Sequence, residues 1–325
     1  MIYVLVVFCI FEPMRKKYLL VAALIISSIS GVNAQFGFDN AMPMQKISVS
    51  DNDEEEEEEE EDKYRGFSFG INLGSYFASK KTANIYNGTC VFGDLGRADG
   101  VQCFTIDERL DPNFFTLDYQ RIVNEFQATG VEVPFDSYPI NMRYTPALMV
   151  GMQVKYNWGK YHALVFNINA MRVRTVDVFT LRFIGTGAQL NAQQDVRTFD
   201  IIGQEQRFNI GLGYRAGFMI NEMSNFYWQF GGSLLGTQFE RNQIRIGETT
   251  YDLILGAQNP NQAPLTLDNA PTRVGIGGYS ALGVEFFIKD MYSFDVSFGL
   301  SNDQMGYFEY KERGWNSWLM ATFTL

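Results

Sequence analysis

The chain has 325 residues with 28 Phe, 17 Tyr and 30 Gly but only 9 Pro, a composition typical of an all-β protein. Its mean hydropathy of −0.12 excludes a polytopic helical membrane protein, although a transmembrane β-barrel keeps such an average because only alternate strand residues are apolar. The formal net charge is −11, and residues 51–62 alone hold 11 acids. The rest of the chain is therefore balanced and lacks the basic excess of a nucleic-acid-binding protein.

Residues 1–34 carry the pattern of an export signal. A basic segment at residues 15–17 precedes an apolar run at residues 18–29, and small residues then lead up to Ala34. This order of basic, apolar and small residues predicts a secretory signal peptide that is cleaved between Ala34 and Gln35.

The beginning of the chain allows two interpretations. A signal peptide starts close to its basic segment, so Met14 is the expected start and residues 1–13 are an upstream extension. The alternative is that residues 1–13 form a second, genuine hydrophobic anchor.

Residues 35–64 lack periodic hydrophobicity and contain the acidic tract. Consecutive carboxylates repel one another and bury no apolar surface, so we expect a disordered tail. The tract is either a docking or cation-binding tail for a basic partner or a solvated spacer, and its composition favours the spacer. Its candidate docking residues are Asp51, Asp53, Glu54, Glu55, Glu56, Glu57, Glu58, Glu59, Glu60, Glu61 and Asp62.

From residue 65 onwards, large apolar residues recur at every second position. The alternation is clearest in residues 273–301, and residues 65–77 show it too. Successive side chains of a strand point to opposite faces, so each segment is a strand with one apolar face and one small, polar face. Such small polar faces suit the crowded interior of a narrow barrel. The second strand is expected to start at Arg143, with Arg143 facing inward and Tyr144 outward.

Eight such strands are expected, joined alternately by short and long connections. Short turns are predicted at residues 157–160, 221–225 and 289–291, and long loops at residues 80–141, 176–205, 242–271 and 302–312. This alternation is typical of an outer-membrane β-barrel, with short turns in the periplasm and long loops outside. An even number of strands places both termini in the periplasm. A further hairpin hidden in one of the two middle loops would give ten strands instead.

The first loop, residues 80–141, is expected to form an ordered extracellular cap. It contains both cysteines of the mature chain and a helical pattern near residues 115–126. In an exported protein, a disulfide between Cys90 and Cys103 is the expected state, and two unpaired thiols are the alternative. Loops of this length are usually functional or disordered, and the disulfide and aromatic content favour order here.

Two segments carry a resemblance to a known family. They are the signal MRKKYLLVAALIISSISGVNA followed by Gln35 and the final strand GWNSWLMATFTL. Over residues 65–325 the chain resembles eight-stranded outer-membrane barrels of the OmpA/OmpX type, and more narrowly the porin-family barrels of Bacteroidota. The final strand is similar to the signal that the barrel-assembly machinery recognises, although a terminal Phe is commoner than Leu325. We expect no periplasmic domain like that of OmpA after Leu325, so the resemblance does not imply cell-wall anchoring.

Four charged residues on the inward faces form the main candidate site: Lys155, Arg215, Glu285 and Asp295. Counted from the short turns, the last three lie at a similar depth. The interior of an eight-stranded barrel is just wide enough for side chains to fill. We therefore expect a lumenal ion-pair network that closes the barrel, because buried charges need partners. A path for protons or ions is the alternative.

No catalytic, cofactor or metal site is expected. The single histidine, His162, lies beside a short turn, away from the position where a barrel enzyme would need a histidine next to its serine. The chain has too few His and Cys for a metal cluster, and the acidic tract lacks the spaced ligands and Gly of a Ca²⁺ loop. Aromatic residues near the turns predict an interfacial girdle, with Trp315 in the opposite girdle. The girdle residues are Tyr156, Trp158, Tyr227, Trp228 and Tyr292.

Together these patterns predict a non-enzymatic outer-membrane barrel that is a structural or interaction subunit of the cell envelope. It would belong to a larger complex for secretion, gliding, uptake or barrel assembly. The expected partners are outer-membrane lipid, the barrel-assembly machinery during insertion, and envelope proteins that bind the acidic tail or the first loop. The alternatives are a narrow porin-like channel for ions or small solutes and, last, a barrel enzyme.

Overall fold

The computed structural model describes residues 65–90, 101–159, 161–185, 195–221, 223–256, 272–289, 292–307 and 310–325. These residues belong to one compact unit. The expected export signal, start site, cleavage site and acidic tract lie outside the described residues. None of the helices within these ranges is long and apolar enough to cross a membrane.

The described residues form twelve strands and three α-helices. The strands are β1 (Gly66–Phe77), β2 (Val101–Cys103), β3 (Gly130–Glu132), β4 (Ala147–Gly159), β5 (His162–Ile184), β6 (Asp195–Asn221), β7 (Ser224–Ile246), β8 (Thr249–Asp252), β9 (Ile254–Gly256), β10 (Thr272–Lys289), β11 (Tyr292–Tyr307) and β12 (Tyr310–Thr324). The helices are α1 (Lys80–Ala83), α2 (Ile106–Arg109) and α3 (Thr116–Glu125), and a 3-10 turn (Asn84–Tyr86) follows α1. The helix expected near residues 115–126 is therefore present as α3.

Eight of the strands close into an antiparallel barrel. Their order around the barrel is β1, β4, β5, β6, β7, β10, β11 and β12, and β12 pairs with β1 to complete the circle. Each of the eight pairs with the barrel strand before it and the one after it in the chain, which is an up-and-down topology. A closed sheet has no unpaired edge, as a membrane interior requires. The prediction of eight barrel strands is confirmed.

The barrel has a turn end and a loop end. At the turn end the chain reverses between β4 and β5, between β6 and β7, and between β10 and β11, where the three short turns were predicted. The loop end is the opposite end, where the remaining connections lie.

Large apolar side chains cover the outside of the barrel, and we call this surface the apolar belt. Its exposed members include Phe67, Phe69, Ile71, Leu73, Leu148, Leu164, Leu212, Phe226, Trp228, Phe230, Leu234, Ile276, Leu282, Phe286, Phe294, Val296, Phe298, Leu319 and Phe323. Each such side chain left in water would forgo about 1.5 to 3 kcal/mol of burial free energy. A surface of this kind is therefore stable against lipid, and the fold is a transmembrane β-barrel.

An aromatic girdle lies at the turn end of the belt. The rings of Tyr156, Trp158 and Tyr214 follow one another, with centroids 6.5 and 5.7 Å apart. Trp315 is exposed near the loop end, opposite Asn302. Aromatic residues at both edges are typical of barrels that span a membrane.

The structure corrects three predicted side-chain directions. Tyr227 was expected in the girdle, but it points into the lumen and is only 1% exposed. Tyr144 was expected outside, but its ring lies 5.0 Å from the guanidinium carbon of Arg207, which is buried. Arg143, expected inside, is exposed. Residues 143–145 thus face the opposite way from the directions that the alternation of β4 predicted.

Strands β5, β6 and β7 continue far past the loop end of the barrel. The β5–β6 pairing runs without interruption from His162 and Ala216 to Phe183 and Asp195. The predicted loop at residues 176–205 is therefore wrong where β5 and β6 occupy it, and its residues 186–194 lie outside the described residues. We call the part of the sheet that lies after residue 172 on β5, before residue 206 on β6 and after residue 238 on β7 the sheet extension.

Two other predicted loops are also shorter than expected. β7 continues to Ile246 and turns back through β8, so the start of the loop at residues 242–271 is strand. The loop at residues 302–312 is wrong, because β11 and β12 pair as far as Tyr307 and Tyr310. Their paired faces bury polar residues that the pattern had assigned to a loop.

The first loop folds into a cap, which comprises the described residues between β1 and β4. Its apolar side chains pack on the inner face of the sheet extension and form a core separate from the barrel. This core includes Ala83, Ile85, Tyr86, Ile106, Leu110, Ile122, Met142, Phe179, Leu181, Phe183, Ile201, Phe239, Ile244, Ile246, Tyr251, Leu253 and Ile254. Two short strands tie the cap to the rest, since β3 pairs with β5 and β2 pairs with β9.

Candidate functional site

The four charged residues predicted to face the lumen lie together, and we call them the turn-side cluster. Lys155 Nζ is 2.5 Å from Glu285 Oε1. Arg215 Nη1 is 3.7 Å from Glu285 Oε2 and 3.4 Å from Asp295 Oδ2. No side chain of the four is more than 7% exposed. Two cations and two anions make the cluster neutral, as a low-dielectric interior requires.

Strand pairing explains why the cluster needs both cations. Glu285 on β10 and Asp295 on β11 are directly opposite each other in the register. Like charges at opposed positions repel, and here neither can reach water. Lys155 from β4 and Arg215 from β6 reach across the narrow lumen to neutralise them. The cluster therefore links β4 and β6 to the neighbouring strands β10 and β11.

Neutral side chains complete the hydrogen bonding of the turn-side cluster. Tyr227 Oη donates to Asp295 Oδ1 at 2.9 Å, and Ser293 Oγ donates to a Glu285 oxygen at 2.8 Å. Arg215 donates to the side-chain oxygen of Gln229, and its guanidinium lies 3.8 Å from the centre of the Tyr227 ring. The inward position of Tyr227 is thus explained by the acid that it binds.

A second group of buried charges lies near the loop end, and we call it the loop-side cluster. Arg207 is completely buried, and its Nη2 lies 2.5 Å from Glu205 Oε1. Its Nη1 donates to Tyr76 Oη at 3.3 Å and to the side-chain oxygen of Asn316 at 3.4 Å. This cluster was not predicted, because Glu205 fell at the end of the predicted loop at residues 176–205 and Arg207 lay just before the predicted strand. The sequence did contain a signal for it. Glu205 and Arg207 stand at odd-numbered positions of β6, as the inward-facing Arg215 does.

Asp303 extends the loop-side cluster towards β11. Its side chain is fully buried and accepts hydrogen bonds from Ser233 Oγ at 2.6 Å and Asn316 Nδ2 at 2.9 Å. The hydroxyl of Ser301 also donates to it. Three neutral donors thus provide the buried carboxylate with hydrogen bonds. Asp303 too had been assigned to a loop.

The cap closes the barrel by binding the loop-side cluster. Tyr86 Oη donates to Glu205 Oε2 at 2.7 Å, and Thr82 Oγ1 accepts from Arg207 Nη2 at 3.2 Å. Gly203 makes room for this contact, because a Cβ there would lie 2.2 Å from the Tyr86 ring. The first turns of the cap therefore cover the lumen and fill its mouth.

A small cavity separates the two clusters. It has a volume of about 30 Å³ and is lined by residues that include Tyr76, Asn169, Gln229 and Tyr279. Such a space holds about one water molecule. Gly213 faces Tyr279, and a Cβ atom on Gly213 would lie 2.3 Å from the Tyr279 hydroxyl. The small residue on one strand thus makes room for the large residue on another.

The remaining candidate residues lie away from the lumen. Cys90 and Cys103 form a disulfide in the cap. His162 is exposed at the turn end, and its Nδ1 lies 2.6 Å from Tyr214 Oη. Across the described ranges, no group of three or more His, Cys, Asp or Glu side chains could hold a metal ion.

Comparison with known proteins gives matches in structure and not in sequence. No family model and no curated protein matches the chain. The attachment invasion locus protein Ail of Yersinia pestis is 9% identical, with 79% of this chain and 98% of Ail covered and a TM-score of 0.31. Neisserial surface protein A is 8% identical over 80% and 98% of the two chains, with a TM-score of 0.34. OprG of Pseudomonas aeruginosa is 6% identical over 80% and 94%, with a TM-score of 0.31.

Identities and TM-scores at this level transfer no residue role to this chain. The class of protein follows from its own features, which are a closed ring of eight strands, an apolar exterior and a polar, filled lumen. These features define a small transmembrane β-barrel of the outer-membrane type.

Proposed function

We propose that the chain is an integral outer-membrane β-barrel that serves the cell envelope as a structural or interaction protein. One observation carries this proposal: buried charge clusters fill the lumen at two levels, while the cap presents a folded surface at one end. A barrel closed in this way suits anchoring better than transport. In this role the apolar belt holds the protein in lipid and the cap meets partners.

The cap has the surface of an interaction module. Four large apolar side chains on it are exposed, namely Phe114, Leu117, Phe135 and Ile140, with exposed fractions from 68% to 101%. Apolar residues that are exposed on an otherwise well-packed unit are typical of protein contact sites. We therefore propose that the cap binds another envelope protein, as a subunit of a secretion, gliding, uptake or assembly complex.

The orientation and lineage are part of the proposal. Short turns face the periplasm in outer-membrane barrels, so the cap would be extracellular. Both ends of the barrel, at residues 66 and 324, are then periplasmic, as is the acidic tract at residues 51–62. The resemblance of the final strand supports insertion by the barrel-assembly machinery and a place among the Bacteroidota barrels.

A narrow channel is the second candidate. It is favoured by the continuous polar lining of the lumen, in which Thr322 donates to Asn72 and Asn72 donates to Asn169, each at 2.9 Å. Conductance in planar bilayers separates the two candidates. The capped barrel is expected to show no steady conductance, whereas steady pores of uniform size would favour the channel.

Affinity isolation from native outer membranes tests the interaction role. We expect the full-length protein to retain a defined envelope protein after mild crosslinking. The double variant Phe135→Ser/Ile140→Ser should lose a partner bound by the cap, and deletion of residues 51–62 should lose a partner bound by the tail. Val178→Ser/Val196→Ser is the matched control, because both valines are exposed on the sheet extension. Recovery of the protein alone would contradict the proposal.

A further inference from the structure

The apolar belt ends in the same row of paired residues on three neighbouring strands. Its last outward residues are Ala170 on β5, Phe208 on β6 and Gly236 on β7, which lie in one row of the sheet. On β6 the belt spans residues 208–218, which is 11 positions. A tilted strand needs about 9–11 residues to cross the hydrocarbon core. This row therefore marks the edge of the core on the loop side.

Arginines dominate the outward positions just beyond that edge. Arg172 is the next outward residue on β5, and Arg174 follows it. Gln204 on β6 has Arg174 as its neighbour on one side and Arg241 of β7 on the other. Arg143 also lies here, because its carbonyl accepts a hydrogen bond from β5. All four arginines are exposed, and we call them the arginine strip.

The arginine strip carries more positive charge than its acid neutralises. Arg172 forms a two-bond ion pair with Glu240, with distances of 2.6 and 2.9 Å. The Glu240 side chain is only 3% exposed, and Gln204 also donates to it at 2.5 Å. Within the described ranges, the other three arginines form no ion pair. The strip is thus a group of four cations with one anion beside it.

We infer that the arginine strip binds the phosphate groups of a lipid in the membrane leaflet on the loop side. Lipid phosphates lie just outside the hydrocarbon core, at the height of the strip. Guanidinium groups bind phosphate through paired, charge-assisted hydrogen bonds, and basic clusters at a membrane surface attract anionic headgroups. The acyl chains would lie on Phe208 and its neighbours below.

The position of Arg172 supports a prepared site. Its ion pair with Glu240 fixes the guanidinium, so less conformational entropy is lost when the lipid binds. Arg174 and Arg241 flank Gln204 on adjacent strands, which places their Cα atoms about 10 Å apart. That separation suits a headgroup with two phosphates. The inference rests on the proposed membrane insertion of the barrel.

Native mass spectrometry of the detergent-solubilised mature protein tests the inference. The probe is diphosphoryl lipid A, compared with the same lipid after removal of both phosphates and with inorganic phosphate alone. Arg174→Gln/Arg241→Gln is expected to weaken binding of the diphosphoryl lipid about 30-fold. Arg245→Gln/Arg313→Gln changes the net charge equally at exposed positions outside the strip and should bind like the parent.

Three results would overturn the inference. They are equal binding by the strip variant, equal binding of the dephosphorylated lipid, and full competition by inorganic phosphate at the lipid's own concentration. The last result would make the strip a site for free phosphate. Heat-dependent migration of the parent in SDS gels and its retention in membranes report on insertion separately. Failure of those two measurements would instead contradict the proposed function.

Discussion

At the scale of residues, the charges of the lumen depend on one another. Glu285 and Asp295 oppose each other, and the cations that neutralise them come from distant strands. Removing one member of a buried ion pair costs more than the pair itself contributes, because the partner keeps its charge without compensation. Each member of the turn-side cluster is therefore a position where one substitution has a large effect.

Replacement of Arg215 is expected to be severe. Arg215→Met should lower the free energy of unfolding by about 3–5 kcal/mol, because Asp295 then loses its cation. Removing the acid as well, in Arg215→Met/Asp295→Leu, should recover most of that loss. Reversible urea unfolding in lipid vesicles measures both. A cost below about 1 kcal/mol for Arg215→Met would mean that the ion pair is not needed.

Gly203 tests how closely the cap fits the lumen. In Gly203→Ala the new Cβ would meet the Tyr86 ring at 2.2 Å, so the cap must move away from the loop-side cluster. We expect faster cleavage of the cap by protease while the barrel stays intact. Gly236→Ala is the matched control, because its Cβ would find its nearest neighbour at 3.7 Å. Equal cleavage rates for the two variants would contradict the docking.

At the scale of elements, the sequence predicts the barrel strands well and the sheet extension poorly. Within the membrane, apolar residues face outward, and β11 shows that alternation without interruption from Tyr292 to Leu300. Beyond the belt the pattern changes, because Phe179 and Phe183 turn inward to pack on the cap and the outward positions mix polar residues with valines such as Val178. A prediction based on strands with an apolar outward face therefore assigns the sheet extension to loops.

Of the two charged clusters in the lumen, the sequence predicted the turn-side cluster and not the loop-side cluster. Arg215 and Asp295 lie on strands with a regular register, so their inward direction followed from counting. Glu205, Arg207 and Asp303 lie where the reversed pattern hid the strands, so the loop-side cluster was missed. The sequence could not show which residues contact Arg215 and Asp295 across the lumen. Those contacts depend on how far each strand is shifted along the next one.

The disulfide should stabilise the cap and leave the barrel unaffected. Cys90 and Cys103 are 13 residues apart, and closing such a loop contributes about 3 kcal/mol in the chain-entropy model. Cys90→Ser/Cys103→Ser should raise amide hydrogen exchange in α2 and in the cap strand β2. Exchange in β10 and β11 should not change. Unchanged exchange in the cap would show that its core and its two strand pairings suffice without the bond.

At the scale of the whole molecule, one chain combines a membrane anchor with a folded unit outside the membrane. The strands of the extension continue for roughly 40 Å beyond the edge of the belt, measured along their length. They give the cap a rigid base, and the loop-side cluster joins that base to the lumen. In the proposed interaction role, the sheet extension would hold the surface of the cap at a fixed distance from the membrane.

The central claim is that apolar and polar faces alternate along strands that cross lipid. Spin labels placed one at a time at residues 208–218 of β6, in protein reconstituted into lipid vesicles, test it most directly. We predict that collision with oxygen peaks at every even-numbered position, which faces lipid, and falls at every odd-numbered position, which faces the lumen. Uniform access to oxygen, or access of a water-soluble nickel reagent to positions 210 and 212, would contradict the account.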